Sequence, residues 1–399
     1  MSEWKECKLG DVAELINGFA FKSEDFSDRG IPVIKIKNVA TGKLVVDDIQ
    51  FYPFEVSNKL KQFILGKHDI LIAMTGSHIH QPSSMVGKVT RYDKPFPALL
   101  NQRVGKIFSK NSQVLDEDFL YYLLKQDDVT FDLALNAGGS ANQANISSEQ
   151  IRNLPVYLPP ISEQRAIASV LSSLDDKIDL LHRQNKILEG MAEALWRKMF
   201  VEEAAPGWKK GKLGDEMNIT MGQSPSGSSY NENGNGIVFF QGRAEFDFRY
   251  PQTRLYCTEP KRYAKKFDTL VSVRAPVGDI NMAAEDCCIG RGLASVRHKK
   301  EFISYTFYKI RSLKHEFDTF EQQGTVFGSI GKDEFNGIDT AIPEENFIHD
   351  FEKFAGPIDS KIFSNSIQIL SLSTMRDKLL LKLMNGEMRV KNTKKDKGW

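Results

Sequence analysis

The stretch Ser162–Phe200, SEQRAIASVLSSLDDKIDLLHRQNKILEGMAEALWRKMF, carries the pattern on which the rest of the chain depends. Its apolar residues recur at alternating steps of four and three, the spacing of an apolar seam along one face of a helix. Asn185 is the one polar residue in the seam. The pattern predicts a long helix with these seam positions: Ile167, Leu171, Leu174, Ile178, Leu181, Asn185, Leu188, Ala192, Leu195 and Met199.

A second stretch repeats the pattern 184 residues later, at Phe351, Ala355, Ile358, Ile362, Asn365, Ile369, Leu372, Arg376, Leu379 and Leu383. An isolated amphipathic helix usually packs on the core of its own domain. Because the seam recurs, we favour two helices that bury their seams on each other as a coiled coil. An antiparallel pair with pseudo-two-fold symmetry satisfies both seams, and a parallel return is the alternative.

Two registers of this helix pair fit the sequence. One places Asn185 opposite Asn365, and a buried polar pair is a known device for fixing register. The other lies one heptad away and gives fuller overlap of the segments after Ser173 and Pro357. In either register, Gly356-Pro357 is predicted to break the second helix.

The globular parts of the chain are also duplicated. Trp4 and the run Lys8-Leu9-Gly10-Asp11 recur as Trp208 and Lys212-Leu213-Gly214-Asp215. Short apolar runs bounded by glycine, proline and aspartate predict strands in both copies. The predicted fold class is therefore α/β (α+β), with two tandem mixed domains, each followed by a long helix. The predicted boundaries are 1–158 and 206–343 for the domains, 159–205 and 344–390 for the helices, and 391–399 for a disordered basic tail.

Composition narrows the class of protein. A formal net charge of +1 argues against a generic polybasic nucleic-acid binder but leaves local basic faces open. The four cysteines form no CxxC pair, as expected of a reduced, cytoplasmic chain. Neither a secretory leader nor a membrane span is expected.

Sequence motifs of the common enzymes are missing. There is no phosphate-binding loop and no dinucleotide fingerprint. Leu158-Pro159-Pro160-Ile161 lacks the polar first residue and aromatic fourth residue with which an amino-methyltransferase holds a flipped base. His78-x-His80 is more typical of a loop than of a metal site. We therefore expect no catalytic residue, no bound cofactor and no metal site in this chain.

Polar loops between the predicted strands could read DNA bases, which requires arginine, lysine, asparagine, glutamine, serine or threonine at loop positions. For any single residue, a solvated surface loop is an equally good interpretation. The candidates are Lys35, Lys37, Asn38, Thr75, Ser77, His78, His80, Gln81, Asn101, Gln102, Arg103, Asn142 and Gln143 in the first domain, and Gln241, Arg243, Arg274, Arg291 and Thr325 in the second.

Taken together, these residues resemble the specificity (S) subunit of type I restriction-modification systems. The resemblance rests on the duplicated opening, on the strand Asp69-Ile70-Leu71-Ile72, and above all on the run from Leu154 to Gln164 that leads into the first long helix. It covers the chain to about Val390. The second copy departs from it where Phe347-Ile348 replaces Glu163-Gln164.

The resemblance implies two target recognition domains that each read one half of a split double-stranded DNA sequence, with the helix pair as a ruler for the unread spacer. It implies two methyltransferase subunits and two ATP-dependent restriction subunits as partners, and neither S-adenosylmethionine nor ATP bound to this chain. Leu180, Ile187, Met191, Trp196 and Met199 would meet the methyltransferases, unless they pack internally. The competing interpretation is a coiled-coil interaction scaffold without DNA sequence specificity; a free-standing enzyme is disfavoured by the missing motifs.

Overall fold

The computed structural model describes residues 4–79, 86–140, 143–204, 207–323 and 328–390. The predicted basic tail, 391–399, lies outside these ranges. The chain divides into two compact units, Met1–Lys177 with Leu372–Trp399, and Ile178–Ser371. Each unit therefore contains one predicted domain together with parts of both long helices.

The first unit is a mixed α/β structure. Its helices are α1 (Leu9–Val12), α2 (Glu117–Leu124), α3 (Asp127–Leu135), α4 (Ser148–Arg152) and the first part of α5 (Ile161–Arg197). Its strands are β1 (Lys5–Lys8), β2 (Ala13–Asn17), β3 (Ile31–Ile34), β4 (Gln50–Tyr52), β5 (Ile64–Leu65), β6 (Ile70–Ala73), β7 (Thr75–Gly76), β8 (Val89–Arg91), β9 (Ala98–Leu100), β10 (Val104–Ser109), β11 (Gly138–Ser140), β12 (Gln143–Asn145) and β13 (Pro155–Leu158).

The strands of the first unit form four small sheets, in the orders β1-β13, β2-β10-β6-β8, β4-β3-β9-β5 and β11-β12-β7. Strands β3 and β9 are parallel, and the other strand pairs described in this unit are antiparallel. Strand β6 is buried on both faces because its side chains alternate between two cores. Ile70 and Ile72 join the core with α2, whereas Leu71 and Ala73 join the core with β3 and β9.

The second unit repeats this arrangement. Its helices are the second part of α5, α6 (Leu213–Glu216), α7 (Ile303–Ser312), α8 (Lys314–Gln323), α9 (Lys332–Asn336) and most of α10 (Glu345–Met384). Its strands are β14 (Lys209–Lys212), β15 (Met217–Met221), β16 (Tyr230–Asn231), β17 (Ile237–Phe240), β18 (Leu255–Cys257), β19 (Tyr263–Ala264), β20 (Thr269–Ser272), β21 (Ile280–Met282), β22 (Cys287–Ile289), β23 (Leu293–His298) and β24 (Asp339–Ile342).

The sheets of the second unit have the orders β14-β24, β15-β23-β20-β21 and β16-β18-β17-β22-β19. The parallel pair is β17 with β22, at the place that β3 and β9 occupy in the first unit. Strand β20 has the same role as β6, since Val271 faces the core with α7 and Leu270 faces the core with β17 and β22. The duplicated sequence thus builds a duplicated arrangement of strands.

Parts of both long helices pack together within each unit. In the first unit, Ile167 and Leu171 share a core with Leu383, and Arg376 Nη1 donates to Asp175 Oδ1 at 2.8 Å. These contacts tie the end of the chain to the start of α5. No helix in the described ranges is both long and apolar enough to cross a membrane.

In the second unit, the buried side chains of Asn185 and Asn365 meet. Asn365 Nδ2 donates to Asn185 Oδ1 at 2.9 Å, and both residues are almost completely buried. This contact corresponds to the first of the two registers considered from the sequence. Nearby, the rings of Trp196 and Phe351 lie 5.4 Å apart between centroids in an edge-to-face arrangement.

The predicted break at Gly356-Pro357 is wrong, because Pro357 lies inside the continuous helix α10. Proline cannot donate the helical hydrogen bond of its own position. However, Ala355 and Ile362 on the same helix are completely buried in the second unit. Burial of this face offsets the lost hydrogen bond, so the helix continues through the proline.

The two long helices begin differently. Gln164 is buried, and its Nε2 donates to the carbonyls of Val114 and Pro159 at 2.9 Å each, while its Oε1 accepts from the Asp116 amide. In the second copy, the buried Ile348 packs in the apolar core instead. The departure from the repeat therefore exchanges a hydrogen-bonded anchor for an apolar one.

Asn185 and Asn365 allow a direct test of the helix contact. Asn185→Leu should lower the free energy of unfolding by about 1–3 kcal/mol, because it leaves the buried Asn365 amide without its partner. The double variant Asn185→Leu with Asn365→Leu should recover that stability, since both polar groups are gone. Denaturant unfolding measures both; a single variant as stable as the parent would show that the bond contributes nothing.

Candidate nucleic-acid interface

Two predicted loops meet in the first unit because β3 and β9 run parallel. Ile34 is in register with Leu100, so the carboxyl ends of both strands lie at the same edge of the sheet. The Asn101 amide donates to the Ile34 carbonyl at 3.1 Å. The loop that starts at Lys35 therefore lies beside the loop that starts at Asn101.

A third segment, Gly18-Phe19, closes over the loop Asn101–Arg103. The Phe19 amide donates to the Leu100 carbonyl at 2.8 Å, and the Gln102 amide donates to the Phe19 carbonyl at 2.9 Å. A Cβ atom on Gly18 would lie 2.2 Å from the Asn101 carbonyl oxygen. Only glycine allows the two backbones to approach this closely.

The second unit builds the same junction. Phe240 is in register with Ile289, and the Gly290 amide donates to the Phe240 carbonyl at 2.8 Å. The Gln223 amide donates to the Ile289 carbonyl at 3.0 Å. A Cβ atom on Gly222 would lie 2.2 Å from the Gly290 carbonyl oxygen. The corresponding backbone groups of the two units thus make corresponding hydrogen bonds.

A fourth segment follows β6 in the first unit and β20 in the second. The Met74 amide donates to the Arg103 carbonyl at 3.0 Å, which places Thr75 next to the loop Asn101–Arg103. The Val273 amide donates likewise to the Gly292 carbonyl at 3.0 Å, which places Arg274 next to Arg291.

We define the first loop cluster as Gly18-Phe19, Lys35–Asn38, Thr75–His78 and Asn101–Arg103, with Gln143 on the strand that pairs with β7. The second loop cluster is Gly222–Ser224, Gln241–Arg243, Arg274 and Gly290–Gly292. Most predicted DNA-binding residues therefore come together in two groups, one in each unit. His80, Gln81, Asn142 and Thr325 lie outside the described residues.

Within the clusters, the side chains that face solvent are Phe19, Lys37, Gln102, Arg103 and Gln143 in the first, and Gln223, Arg243, Arg274 and Arg291 in the second. Lys37 pairs with Asp48 at 2.5 Å and Arg243 pairs with Asp279. The half-buried members are Lys35, His78, Asn101 and Gln241. Long cationic and amide side chains thus dominate the exposed surface of both clusters.

Lys35 is less available than its exposed neighbours. Its Nζ lies 3.8 Å from the centroid of the Phe26 ring and donates to Gln50 Oε1. Burial and the charge of Lys37 lower the pKa of the Lys35 ammonium from its ordinary value. Lys35 therefore shapes the base of the loop more than its surface.

Three predicted DNA-binding residues of the first cluster are buried and must be corrected. Asn38 accepts from the Lys35 amide at 2.8 Å and donates to the Val45 carbonyl at 2.7 Å, so its amide holds the loop closed. Thr75 donates to Asn145 Oδ1 at 2.8 Å, and Ser77 is also buried. The side chains of Asn38 and Thr75 therefore hold the loops together.

Ser224 was not among the predicted residues, although it links two loops of the second cluster. Its hydroxyl accepts from Gln241 Nε2 at 2.8 Å and from the Arg291 amide at 3.3 Å. The internal repeat could have pointed to Ser224, because Ser224 lies two residues after Gly222 just as Ala20 lies two residues after Gly18. Serine in place of alanine gives the second cluster a side-chain link of its own.

Twelve of the predicted seam residues form the central part of the seams, and all twelve are buried or half buried: Leu174, Ile178, Leu181, Asn185, Leu188, Leu195, Ile358, Ile362, Asn365, Ile369, Leu372 and Leu379. Of the side chains expected to meet a partner, Leu180, Ile187 and Met191 are 40%, 65% and 55% exposed. For the other two the alternative of internal packing applies, because Trp196 is buried in the core of the second unit and Met199 is half buried against it.

Metal and thiol chemistry have little support in the described ranges. Within them, no three histidine, cysteine, aspartate or glutamate side chains lie close enough to hold a metal ion. Cys7 is half buried, Cys257, Cys287 and Cys288 are buried, and all four are free thiols.

Comparison with known proteins shows what the chain is similar to. Residues 1–189 match the family described as "Type I restriction modification DNA specificity domain". The chain is 29% identical to the specificity subunit assigned to the MjaX type I restriction enzyme of Methanocaldococcus jannaschii, over 98% of this chain and 94% of that protein. It is 31% identical to the MjaVIII specificity subunit of the same organism, over 47% of this chain and 43% of that protein.

A solved structure agrees with the fold. The S subunit of a type I restriction-modification system from M. genitalium superimposes with a TM-score of 0.62 at 17% identity and covers 96% of both chains. The sequence matches show that residues 1–189 contain a type I restriction-modification DNA specificity domain and that the whole chain is similar to a type I specificity subunit.

The close backbone approach at Gly222 can be tested by substitution. Gly222→Ala should lower the free energy of unfolding by about 1–3 kcal/mol, because its new methyl group would meet the Gly290 carbonyl oxygen. Gly190→Ala is the matched control: an alanine Cβ there would meet nothing within 4 Å, and in helix α5 it should stabilise by about 0.5–1 kcal/mol. Denaturant unfolding compares the two, and equal effects would contradict the close approach.

Proposed function

We propose that this chain reads a two-part sequence in double-stranded DNA, one part with each loop cluster. The observation that carries the proposal is a shared backbone with different side chains. Most backbone hydrogen bonds around Gly18 and Asn101 recur around Gly222 and Gly290, yet Gln102 is replaced by Arg291, whose amide donates to the Ser224 hydroxyl instead. Two clusters of one shape with different polar side chains are suited to two different base sequences.

The exposed side chains have the chemistry of base and phosphate recognition. Arginine can donate two hydrogen bonds to the major-groove edge of guanine, and glutamine can pair in the same way with adenine. Arg103 with Gln102 serves the first cluster, and Arg274 with Arg291 the second. Lys37 and Arg243, paired with exposed or half-exposed carboxylates, can exchange those partners for DNA phosphates.

The long helices would set the distance between the two DNA parts. We assign them an antiparallel coiled-coil pairing with pseudo-two-fold symmetry, in the register of Asn185 and Asn365. Contacts within each unit support this direction: Asn185 meets Asn365 while Trp196 meets Phe351, and in the other unit Leu171 packs near Leu383. As in dimeric DNA readers, a rigid connection would fix half-site spacing.

Partner subunits would supply the chemistry. The exposed apolar side chains of Leu180, Ile187 and Met191 form a surface that favours protein contact, and we assign it to the methyltransferase subunits, two per complex. ATP-dependent restriction subunits complete the assembly. This chain would bind neither S-adenosylmethionine nor ATP, would have no catalytic residue, and would work on DNA in the cytoplasm. The alternative function is a coiled-coil scaffold for the same partners without DNA sequence specificity.

Two arginines test the assignment of each cluster to one part of the DNA sequence. Co-expression with the partner methyltransferase followed by mapping of N6-methyladenine gives the methylated motif. Arg103→Ala should relax one half of the motif and Arg291→Ala the other, each by about 10- to 100-fold in discrimination, because each removes one base contact.

Arg29→Ala is the matched control, since Arg29 is exposed and lies just before the amino end of β3, away from the first loop cluster. It should leave the motif unchanged. Relaxation of the same half by both arginine variants would contradict the assignment. An assembled wild-type complex that methylates no defined motif would favour the scaffold.

A further inference from the structure

Arg249 has the largest fully buried side chain among the described residues. Its Nη1 donates to Asp359 Oδ1 at 3.1 Å, and its Nη2 donates to Glu189 Oε1 at 3.0 Å and to the Tyr308 hydroxyl at 2.9 Å. The guanidinium also stacks on the Phe307 ring, 3.8 Å from the centroid. One arginine thus contacts helix α5 through Glu189, helix α10 through Asp359 and helix α7 through Tyr308.

Among the cationic side chains, only that of arginine can make all of these contacts. A buried charge is tolerated when it is paired and hydrogen bonded, and the planar fork of guanidinium reaches two carboxylates and a hydroxyl at once. A lysine ammonium is a single point of charge and cannot span the same set. Glu189 has a second cationic partner, Arg311, at 2.9 Å. The two carboxylates, Glu189 and Asp359, are therefore matched by two guanidinium groups.

Arg249 belongs to the loop between β17 and β18, which starts at Gln241 and Arg243 in the second loop cluster. The next residue, Tyr250, attaches the same loop to helix α10 a second time. The Tyr250 ring lies 5.2 Å from the ring of Phe363, one turn beyond Asp359 on α10. The loop that begins with two predicted base-reading residues is therefore fastened to both long helices a few residues later.

The first unit lacks the residues for such an anchor. Its corresponding loop, residues 35–49 between β3 and β4, contains neither an arginine nor an aromatic residue. What the two units share is a tyrosine–aspartate bond: Tyr122 donates to Asp175 Oδ2 at 2.8 Å, as Tyr308 does to Asp359 Oδ1 at 3.3 Å. In the first unit the arginine that contacts this aspartate is Arg376, which lies on helix α10. An arginine supplied by the loop between two strands is therefore specific to the second unit.

We propose that Arg249 is a positioning residue for the second part of the DNA target: it holds the loop Gln241–Arg254 against both long helices, and recognition of that part depends on this attachment. The inference rests on the proposed function and names the residue that fixes one of its two reading surfaces. Recognition of the first part does not depend on Arg249.

The test uses the full chain in complex with its methyltransferase and compares methylation of DNA with single mismatches in each half of the motif. Arg249→Lys keeps the positive charge but replaces the planar guanidinium group with a single ammonium. It should lower discrimination in the second half by at least about tenfold and leave the first half unchanged. Arg91→Met is the matched control, because Arg91 stacks on Tyr121 of the first unit at 4.2 Å but lies on β8, outside the first loop cluster.

A second variant separates the effect of loop position from the effect of protein stability. Arg249→Met combined with Asp359→Leu, Tyr308→Phe and Glu189→Gln removes the buried charges of Arg249 and its two carboxylates, so the chain should unfold at or above the wild-type temperature. The amide introduced by Glu189→Gln retains an acceptor for Arg311. We expect this variant to lose second-half discrimination as Arg249→Lys does. Wild-type discrimination by either variant would overturn the proposal while leaving the proposed function intact.

Failure of the proposed function has a different signature. A wild-type complex without any two-part motif would remove the basis of both proposals. A two-part motif whose halves weaken together in Arg249→Lys would leave DNA reading in place and overturn the positioning of one half by Arg249.

Discussion

Two parallel strand pairs, β3 with β9 and β17 with β22, are the constraint on which the candidate DNA surface depends. Parallel strands place their carboxyl ends at one edge, so two loops far apart in sequence must start side by side. Gly18 and Gly222 then allow a third segment to lie against those loops at a distance that any side chain would prevent. Backbone contacts thus form the junction of each cluster, and buried side chains such as Asn38 hold its loops. The exposed side chains of the cluster can vary without changing either.

The long helices are subject to a different constraint. Each has an apolar seam that is unfavourable in water, and each buries that seam partly in the first unit and partly in the second. Polar contacts occur at specific points along the helices, at Asn185 with Asn365 and at Asp175 with Arg376. Breaking a hydrogen bond between buried groups leaves both polar groups without a partner, which costs free energy. These contacts therefore oppose sliding of one helix along the other.

Much of the fold could be predicted because its signals are periodic or repeated. The four-three spacing located both long helices, and the doubled openings at Trp4 and Trp208 indicated a duplicated arrangement of strands. Pro357 was misjudged because local propensity predicts a break, whereas burial of the surrounding helix face is a tertiary effect that the sequence does not display. The type of element was therefore predictable, but its continuity was not.

The candidate site was predictable only in part. A polar loop residue can face solvent or close the loop, and sequence does not distinguish Asn38, which is buried and hydrogen bonded, from the exposed Gln102. Arg249 was missed because its partners Glu189 and Asp359 are far away in the chain and meet it only in the folded unit.

If the helices hold two reading surfaces at a fixed spacing, one additional heptad in each helix must lengthen the unread DNA spacer. Insertions between Lys177 and Ile178 and between Ser371 and Leu372 fall at the boundary of the two compact units, so each unit keeps its own contacts. Seven residues add about 10 Å of helix, close to the length of three base pairs. We predict a methylated motif with unchanged halves and a spacer longer by about three base pairs. An unchanged spacer in an assembled, active complex would contradict the fixed spacing.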